Sequence, residues 1–181
     1  LDKTCKEKQM ALWGITDADE AKPKWLTTAQ KKEVFANNSG WVVEAGSTQT
    51  GNDNTDAQPE VLCCVGDLAT GIGAADITEI EFITTAFDKS DGGNIDVRVR
   101  FNEQVTVNTS GGTPTLTITN DTPSRNLTAT YLSGSTTNEL IFRKTIAAAN
   151  AATNAGDVLS IAANAMALAS GTIKDTADGS T

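Results

Sequence analysis

The sequence predicts a mainly β protein whose strands form a sandwich of sheets, and two observations predict it. Short runs rich in threonine, valine and isoleucine are separated by glycine, asparagine and aspartate, a spacing typical of all-β sandwiches. Between Ile95 and Phe101, apolar residues alternate strictly with charged ones. This period of two places an apolar row on one face of a strand and charges on the other.

The alternating strand has a well-specified register, because a slip of one residue would carry Asp96, Arg98 and Arg100 into the core. The next three residues, 102–104, are predicted to form a turn, after which a second short strand begins.

Further candidate strands recur at regular intervals after Asp76, with glycine-rich turns between them. The full set covers residues 77–84, 95–101, 104–107, 115–119, 127–132, 139–145, 158–161 and 168–174. Seven or so strands in about 105 residues fit the size and spacing of an immunoglobulin-like sandwich.

A short helix is predicted near the start of the chain. Thr27 can cap it, because Gln30 lies three residues further on, as in a capping box. The helix is expected over residues 27–36, with Val34 and Phe35 as its packing contacts.

The residues before the sandwich are predicted to form an extended arm that contains this helix and a few strands. Strands are expected over residues 41–44 and 61–65, and the glycine-rich residues 66–75 are expected to form a linker. The predicted organisation is therefore an N-terminal attachment region over residues 1–75 and a sandwich over residues 76–181.

The charge of the chain argues against two classes of partner. Its formal net charge is −9, whereas a phosphate-binding surface needs clustered lysine and arginine, so nucleic acid is not expected as a partner. No stretch approaches the roughly 20 apolar residues that cross a bilayer, so no membrane partner is expected.

The composition also argues against an enzyme. Histidine is absent, which removes the usual general base and the usual zinc ligand. Catalysis would then need paired carboxylates or an activated lysine. Glu79, Glu81 and Glu103 lie on or beside strands and are expected to face solvent.

The three cysteines have no metal-ligand spacing, since Cys63 and Cys64 are adjacent and Cys5 is distant. Cys63 and Cys64 are expected to be unpaired strand residues that face opposite ways. The alternative is a cross-link from Cys5 to one of them. Unpaired thiols would indicate synthesis in a reducing cytoplasm.

Two tryptophans flank a polar segment that has little core of its own. Trp13 and Trp25 lie on either side of acidic and basic residues, and Pro23 interrupts any helix there. Either both rings pack back onto the globular domain, or they anchor a neighbouring subunit, since tryptophan is enriched at interface hot spots.

Several motifs in the second part of the chain occur together and in order. They are F-N-E-x-V-T-V at 101–107, G-T-P-T-L-T-I at 112–118, A-T-Y-x-S-G-S at 129–135, L-x-F at 140–142, L-S-I-A-A-N-A at 159–165 and G-T-I-K-D at 171–175. This part resembles a bacterial immunoglobulin-like repeat of the kind found along large surface adhesins. The resemblance implies a sandwich with an adhesive or structural role and no active site.

Some of these repeats bind calcium through aspartates in turns, so the resemblance also implies a possible Ca²⁺ site, although acidic turns are common for conformational reasons alone. The candidate ligands are Asp88, Asp91, Asp157, Asp175 and Asp178. No other cofactor is expected.

The N-terminal motif M-A-L-W-G-x-T-D-A-D-E-A-K-P-K-W-L at 10–26, with G-W-V at 40–42, is similar to the start of virion structural proteins of marine tailed phages, cyanophages in particular. The resemblance implies a capsid decoration protein on the particle surface, made in the host cytoplasm. Its expected partners are the major capsid protein and sister subunits, with a trimer as the expected homo-oligomer. The expected contact residues are Trp13, Pro23, Trp25, Leu26 and Trp41. The alternatives are an adhesin-type module that binds glycan or cell envelope, and a neck or tail component.

Overall fold

The computed structural model describes residues 22–149 and 153–180. These residues are mainly β, as predicted, with a large mixed sheet and two short helices, consistent with a β-sandwich. The helices are α1 Thr28–Lys32 and α2 Leu68–Gly71. The strands are β1 Val34–Asn37, β2 Gly40–Val43, β3 Glu60–Cys64, β4 Ile77–Phe82, β5 Gly93–Asn108, β6 Thr115–Asn120, β7 Leu127–Ser133, β8 Thr137–Ile146, β9 Leu159–Ser160, β10 Met166–Ala167 and β11 Thr172–Asp175.

The chain divides into two compact units. Of the described residues, the first unit contains 22–78, 101–105 and 174–180, and the second contains the rest. The predicted sandwich range of 76–181 thus supplies three segments to the first unit, 76–78, 101–105 and 174–180.

The first unit begins with helix α1, whose capping box forms as predicted. The Gln30 amide donates to Thr27 Oγ1 at 3.2 Å, and the Thr27 amide donates to Gln30 Oε1 at 2.9 Å. The predicted extent of the helix is wrong, because it ends at Lys32 and the next residues form strand β1. Val34 and Phe35 are β-branched and aromatic, so they favour a strand where they can be buried.

Strands β1, β2 and β3 are antiparallel neighbours, and β1 runs parallel to β5, with Ala36 opposite Glu103. The segment expected to be a linker contains helix α2 instead, and Leu68 and Ala69 of that helix are buried. They belong to a core cluster of Leu26, Val34, Ala36, Trp41, Val43, Leu68, Ala69 and Ile72. The apolar residues of this glycine-containing segment therefore pack into the core of the first unit, and the segment is not a linker.

Strand β5 is longer than the sequence predicts. It continues unbroken through residues 102–104, so the predicted turn is wrong. Every odd-numbered position from Ile95 to Val105 is buried, Glu103 among them, and Arg100 is the one even-numbered position of the strand that is buried as well. The strand continues through residues 102–104 because inward and outward positions keep alternating there. A pleated strand does not need an apolar residue at every inward position.

The second unit has the strand order β5–β8–β7–β6–β10, with β9 on the end of β6. The predicted apolar row is confirmed in this unit by the burial of Ile95, Val97 and Val99. The other strands of the unit bury Leu116, Ile118, Leu127, Ala129, Leu140 and Phe142. Phe142 meets Tyr131 edge to face, with ring centroids 6.0 Å apart. Three predicted strands differ in extent: 77–84 ends at Phe82, 158–161 shortens to β9, and 168–174 is reduced to β11, which begins at Thr172. Strand β10 lies just before that last range and was not predicted.

Candidate functional site: an exposed attachment segment and a buried carboxyl pair

Residues 22–26, here called the attachment segment, are held on the first unit at several points. The Leu26 amide donates to the Pro23 carbonyl at 3.2 Å, and Lys22 Nζ donates to the Lys31 carbonyl at 2.7 Å. Pro23 and Leu26 are buried. Trp25 is 62% exposed. The segment is therefore fixed through its neighbours while Trp25 remains largely exposed.

The other expected contact residues have different fates. Trp41 is fully buried in the core cluster of the first unit, which leaves it no surface to offer to a partner. Pro23 and Leu26 are also buried, so they contribute to packing within the first unit and not to a contact surface. Trp13 lies outside the described residues. Trp25 is thus the exposed member of the expected set within the described part of the chain.

The five candidate calcium ligands do not form a ligand set in the structure. Asp88, Asp91 and Asp157 lie in the second unit and Asp175 and Asp178 in the first. Among residues 22–149 and 153–180, there is no group of three or more acidic, cysteine or histidine residues placed to hold a metal ion.

Several of these carboxylates instead fix the turns that contain them. Asp88 accepts from the amide and hydroxyl of Ser90 at 2.8 and 2.5 Å. Asp178 accepts from the Ser180 amide at 2.6 Å. These hydrogen bonds lower the pKa of both carboxyl groups. Acidic residues in turns commonly have this conformational role.

Asp157 ties two loops of the second unit together. It accepts from Asn120 Nδ2 and the Asn154 amide at 2.7 Å and from Thr122 Oγ1 at 2.9 Å. These hydrogen bonds, that from Asn120 first, lower the pKa of Asp157.

The most unusual group of the first unit is the carboxyl of Glu103. Its side chain is fully buried, and Asp175, within hydrogen-bonding distance of it, is 3% exposed. Ionised carboxylates only accept hydrogen bonds, and accordingly both Glu103 oxygens and Asp175 Oδ2 lack a partner. Burial first, then the charges of Asp175, Asp178 and Asp76, raise the pKa of Glu103 to about 9. Glu103 was predicted to face solvent, and that prediction is wrong.

Asp175 is placed by the turn that ends the described chain. Its Oδ1 accepts from the Ala177 amide at 2.6 Å, and its backbone amide donates to the Ser180 carbonyl at 2.9 Å. The next residue, Thr176, donates its amide to the Gln104 carbonyl on β5 at 3.0 Å. Residues 174–180, here called the C-terminal segment, therefore bring a carboxyl group to the inward face of β5.

A buried carboxyl group with a raised pKa is a candidate for acid–base chemistry, but Glu103 has no exposed surface that a substrate could approach. The nearby cavity has a volume of about 110 Å³ and is lined by Asp175, Gln104 and neighbouring residues, without Glu103. A group that touches no open space cannot exchange a proton with a bound molecule. The Glu103 carboxyl group is therefore part of the internal structure.

The charged face of β5 in the second unit is closed by carboxylates from β4 and β8. The side chain of Arg100 is 7% exposed, and its guanidinium lies 3.0 Å from Glu79 and Glu81 and 2.5 Å from Glu139. Arg98 also pairs with Glu81 and Glu139. The expectation that Glu79 and Glu81 face solvent is wrong, because they neutralise a buried arginine.

A groove of about 900 Å³ lies in the second unit. Its lining includes the apolar residues Phe82, Phe87 and Leu159 and the acidic residues Asp88 and Asp157. Because both aspartates already serve their own turns, the groove offers mainly apolar surface.

Cys64 is disulfide-bonded, so the expectation of two unpaired thiols is wrong for this residue. Cys63 is a free thiol, and burial raises its pKa. Cys5 lies outside the described residues. The inference of a reducing cytoplasm rested on unpaired thiols and loses that support.

Comparison with known proteins finds no matching family model, no matching curated protein and no matching solved structure. Among the described residues, neither helix is long and apolar enough to cross a membrane.

The sequence did indicate that Glu103 faces inward, but the predicted turn at residues 102–104 concealed this. Glu103 has the same parity as Ile95, Val97, Val99 and Phe101, and inward-facing residues of a strand share parity. Its partner Asp175 could not be found this way, because it lies 72 residues later in the chain and its approach depends on tertiary folding.

Proposed function

We propose that this chain is a non-enzymatic structural protein of a phage virion, most specifically a decoration protein on the capsid surface. The proposal rests on the N-terminal resemblance, and the observation that best supports it is the exposed indole of Trp25 on an otherwise fixed segment. A rigid aromatic side chain that is already placed loses little conformational freedom on binding. The partners would be the major capsid protein and sister subunits, in a closed oligomer such as a trimer.

Two further observations support a structural role. Glu103 is fully buried, and Glu79 and Glu81 are engaged with Arg100. The disulfide at Cys64 suits a protein that acts outside the cell, since disulfides persist on virion and cell surfaces.

The test compares two side chains of equal exposure. Trp25 and Val158 are each 62% exposed, and Val158 lies in the second unit. Trp25→Ala should weaken binding to undecorated capsids by about 30-fold or more per site, because an anchoring tryptophan contributes about 2 kcal/mol or more. Val158→Ala should leave binding unchanged. Co-sedimentation over a concentration series measures both.

Substitution is a sharper test than deletion of residues 10–26, because Leu26 belongs to the core cluster and its loss would also affect folding. Wild-type affinity in Trp25→Ala would remove the attachment role of this segment. Counting the copies of this chain in intact particles distinguishes a head position from a neck or tail position. Hundreds per particle indicate decoration, and about a dozen indicate a neck or tail component.

A second candidate is an adhesin-type module, which the 900 Å³ groove of the second unit favours. Apolar clefts of this size are typical of small-molecule sites. This candidate predicts saturable binding of a glycan or cell-envelope fraction that Phe87→Ala abolishes, with no affinity for capsids.

A further inference from the structure

We propose that Glu103 and Asp175 share one proton, and that this proton holds the C-terminal segment on the first unit more tightly at acidic than at alkaline pH. The inference is independent of the proposed virion function, because it concerns how the first unit retains its own last residues.

The argument starts from the hydrogen-bond donors around the pair. Two carboxyl groups at hydrogen-bonding distance need a donor between them, since ionised carboxylates offer acceptors alone. Residues 22–149 and 153–180 supply none: Glu103 Oε1 and Oε2 and Asp175 Oδ2 are buried without partners among them. A proton on one carboxyl group converts this repulsive contact into an O–H···O⁻ hydrogen bond, one of the strong kinds.

The charges around Glu103 also favour a protonated carboxyl group. The charged groups that act on it are Asp175 and Asp178 of the C-terminal segment and Asp76 from the residues before β4, and all three are acidic. Together with complete burial, they make a second negative charge unfavourable. This is how one carboxyl group of a close pair stays protonated at neutral pH.

A bound cation is the other way to neutralise the pair. It would need about six oxygen ligands for calcium, whereas the described residues place no group of three acidic side chains for a metal. A shared proton needs only one oxygen from each of the two carboxyl groups.

The proton is coupled to the C-terminal segment because Asp175 is that segment's inward-facing side chain. The same turn forms three backbone bonds: Asp175 to Ser180, Gly179 to Asp175, and Thr176 to Gln104 on β5. If the segment opens, Glu103 meets water and its pKa returns towards that of an ordinary carboxyl group. Opening therefore releases a proton, and the opening equilibrium rises up to about tenfold per pH unit across the interval between the two pKa values.

Carbon-13 NMR of the full-length, oxidised protein tests the protonation directly. With glutamate side chains labelled, the Glu103 carboxyl resonance should keep the shift of a neutral acid through pH 7 and move only in the alkaline range. Titration near pH 4 to 5, with the other glutamates, would overturn the proposal. A resonance that is ionised at pH 7 and shifts when calcium is added would also overturn it, in favour of a cation site.

Limited trypsin digestion tests the consequence, because Lys174 is exposed at the start of the C-terminal segment. With rates normalised to an unfolded peptide, cleavage after Lys174 in the wild type should rise by up to about tenfold per unit between pH 7 and 9. Glu103→Gln, which keeps the shape and donates from its amide, should abolish that rise. Asp88→Asn removes an exposed turn carboxylate of the second unit and should leave it intact. Equal pH dependence in Glu103→Gln and the wild type would overturn the coupling.

Discussion

Glu103 shows how one residue can set the pH dependence of a whole unit. A carboxyl group whose pKa is 4.5 in water and about 9 when folded favours the folded state fully below pH 4.5. That contribution is lost as the pH rises towards 9, at about 1.4 kcal/mol per pH unit. Urea unfolding between pH 5 and 9 should therefore show a free energy of unfolding that falls as the pH rises. Glu103→Gln should flatten this slope and, at pH 7, be more stable than wild type by an amount on the order of 3 kcal/mol.

At acidic pH, the free energy of unfolding should change in the opposite direction and fall as the pH falls. Hydrogen bonds lower the pKa of Asp88, Asp157 and Asp178, and the Arg143 side chain lowers that of Asp96. Such groups stabilise the fold above their unfolded pKa and lose that contribution as the pH falls through the folded value. A maximum of stability in weak acid follows. A flat profile from pH 5 to 9 in the wild type would contradict the buried, protonated state of Glu103.

Phe142 is the residue-scale test of the second unit's core. It is fully buried and packs edge to face on Tyr131, so Phe142→Ala leaves a cavity and should lower the free energy of unfolding by about 3–5 kcal/mol. Leu132→Ala on strand β7 is the control, since Leu132 is about half exposed and its removal leaves no internal cavity. Chemical denaturation of both variants measures the difference, and equal losses would place Phe142 outside the core.

At the scale of elements, periodicity predicted strands well and boundaries poorly, for identifiable physical reasons. The apolar row from Ile95 to Phe101 specified β5, because alternation leaves one face for the core. Helix α1 was predicted too long, since its capping box is local but the burial of Val34 and Phe35 is tertiary. Helix α2 was missed, because a four-residue helix is stabilised by packing and has too few residues to show a period.

The arginines of β5 provide an element-scale prediction. Arg100 is buried among three carboxylates of neighbouring strands. Arg100→Met removes the buried cation of this cluster and leaves Arg98 to balance Glu81 and Glu139, so it should destabilise the fold by about 3–5 kcal/mol. Arg143→Met is the matched control, because Arg143 makes a two-bond pair with Asp96 at 2.7 Å in a more exposed position and water can replace it. Thermal unfolding compares the two, and a loss for Arg143→Met as large as for Arg100→Met would show that burial does not set the cost.

At the scale of the whole molecule, the sequence predicted the class of fold but placed the candidate sites only in part. Trp25 could be singled out, because tryptophan in a polar segment is unusual whatever the fold. The burial of Trp41 and the meeting of Glu103 with Asp175 depend on which segments join the first unit. No local pattern states that residues 101–105 and 174–180 belong with the N-terminal residues.

The joint use of β5 leads to a prediction for unfolding. This strand of 16 residues gives 93–100 and 106–108 to the second unit and 101–105 to the first, so neither unit can lose its part of β5 without disturbing the chain on both sides. We expect a single cooperative transition. Trp25 and Trp41 report on the first unit, and Tyr131, the one tyrosine of the sequence, reports on the second. Tryptophan fluorescence and tyrosine absorbance should give the same midpoint in urea. Phe142→Ala should lower both midpoints together, whereas a fall in the tyrosine midpoint alone would show that the units unfold independently.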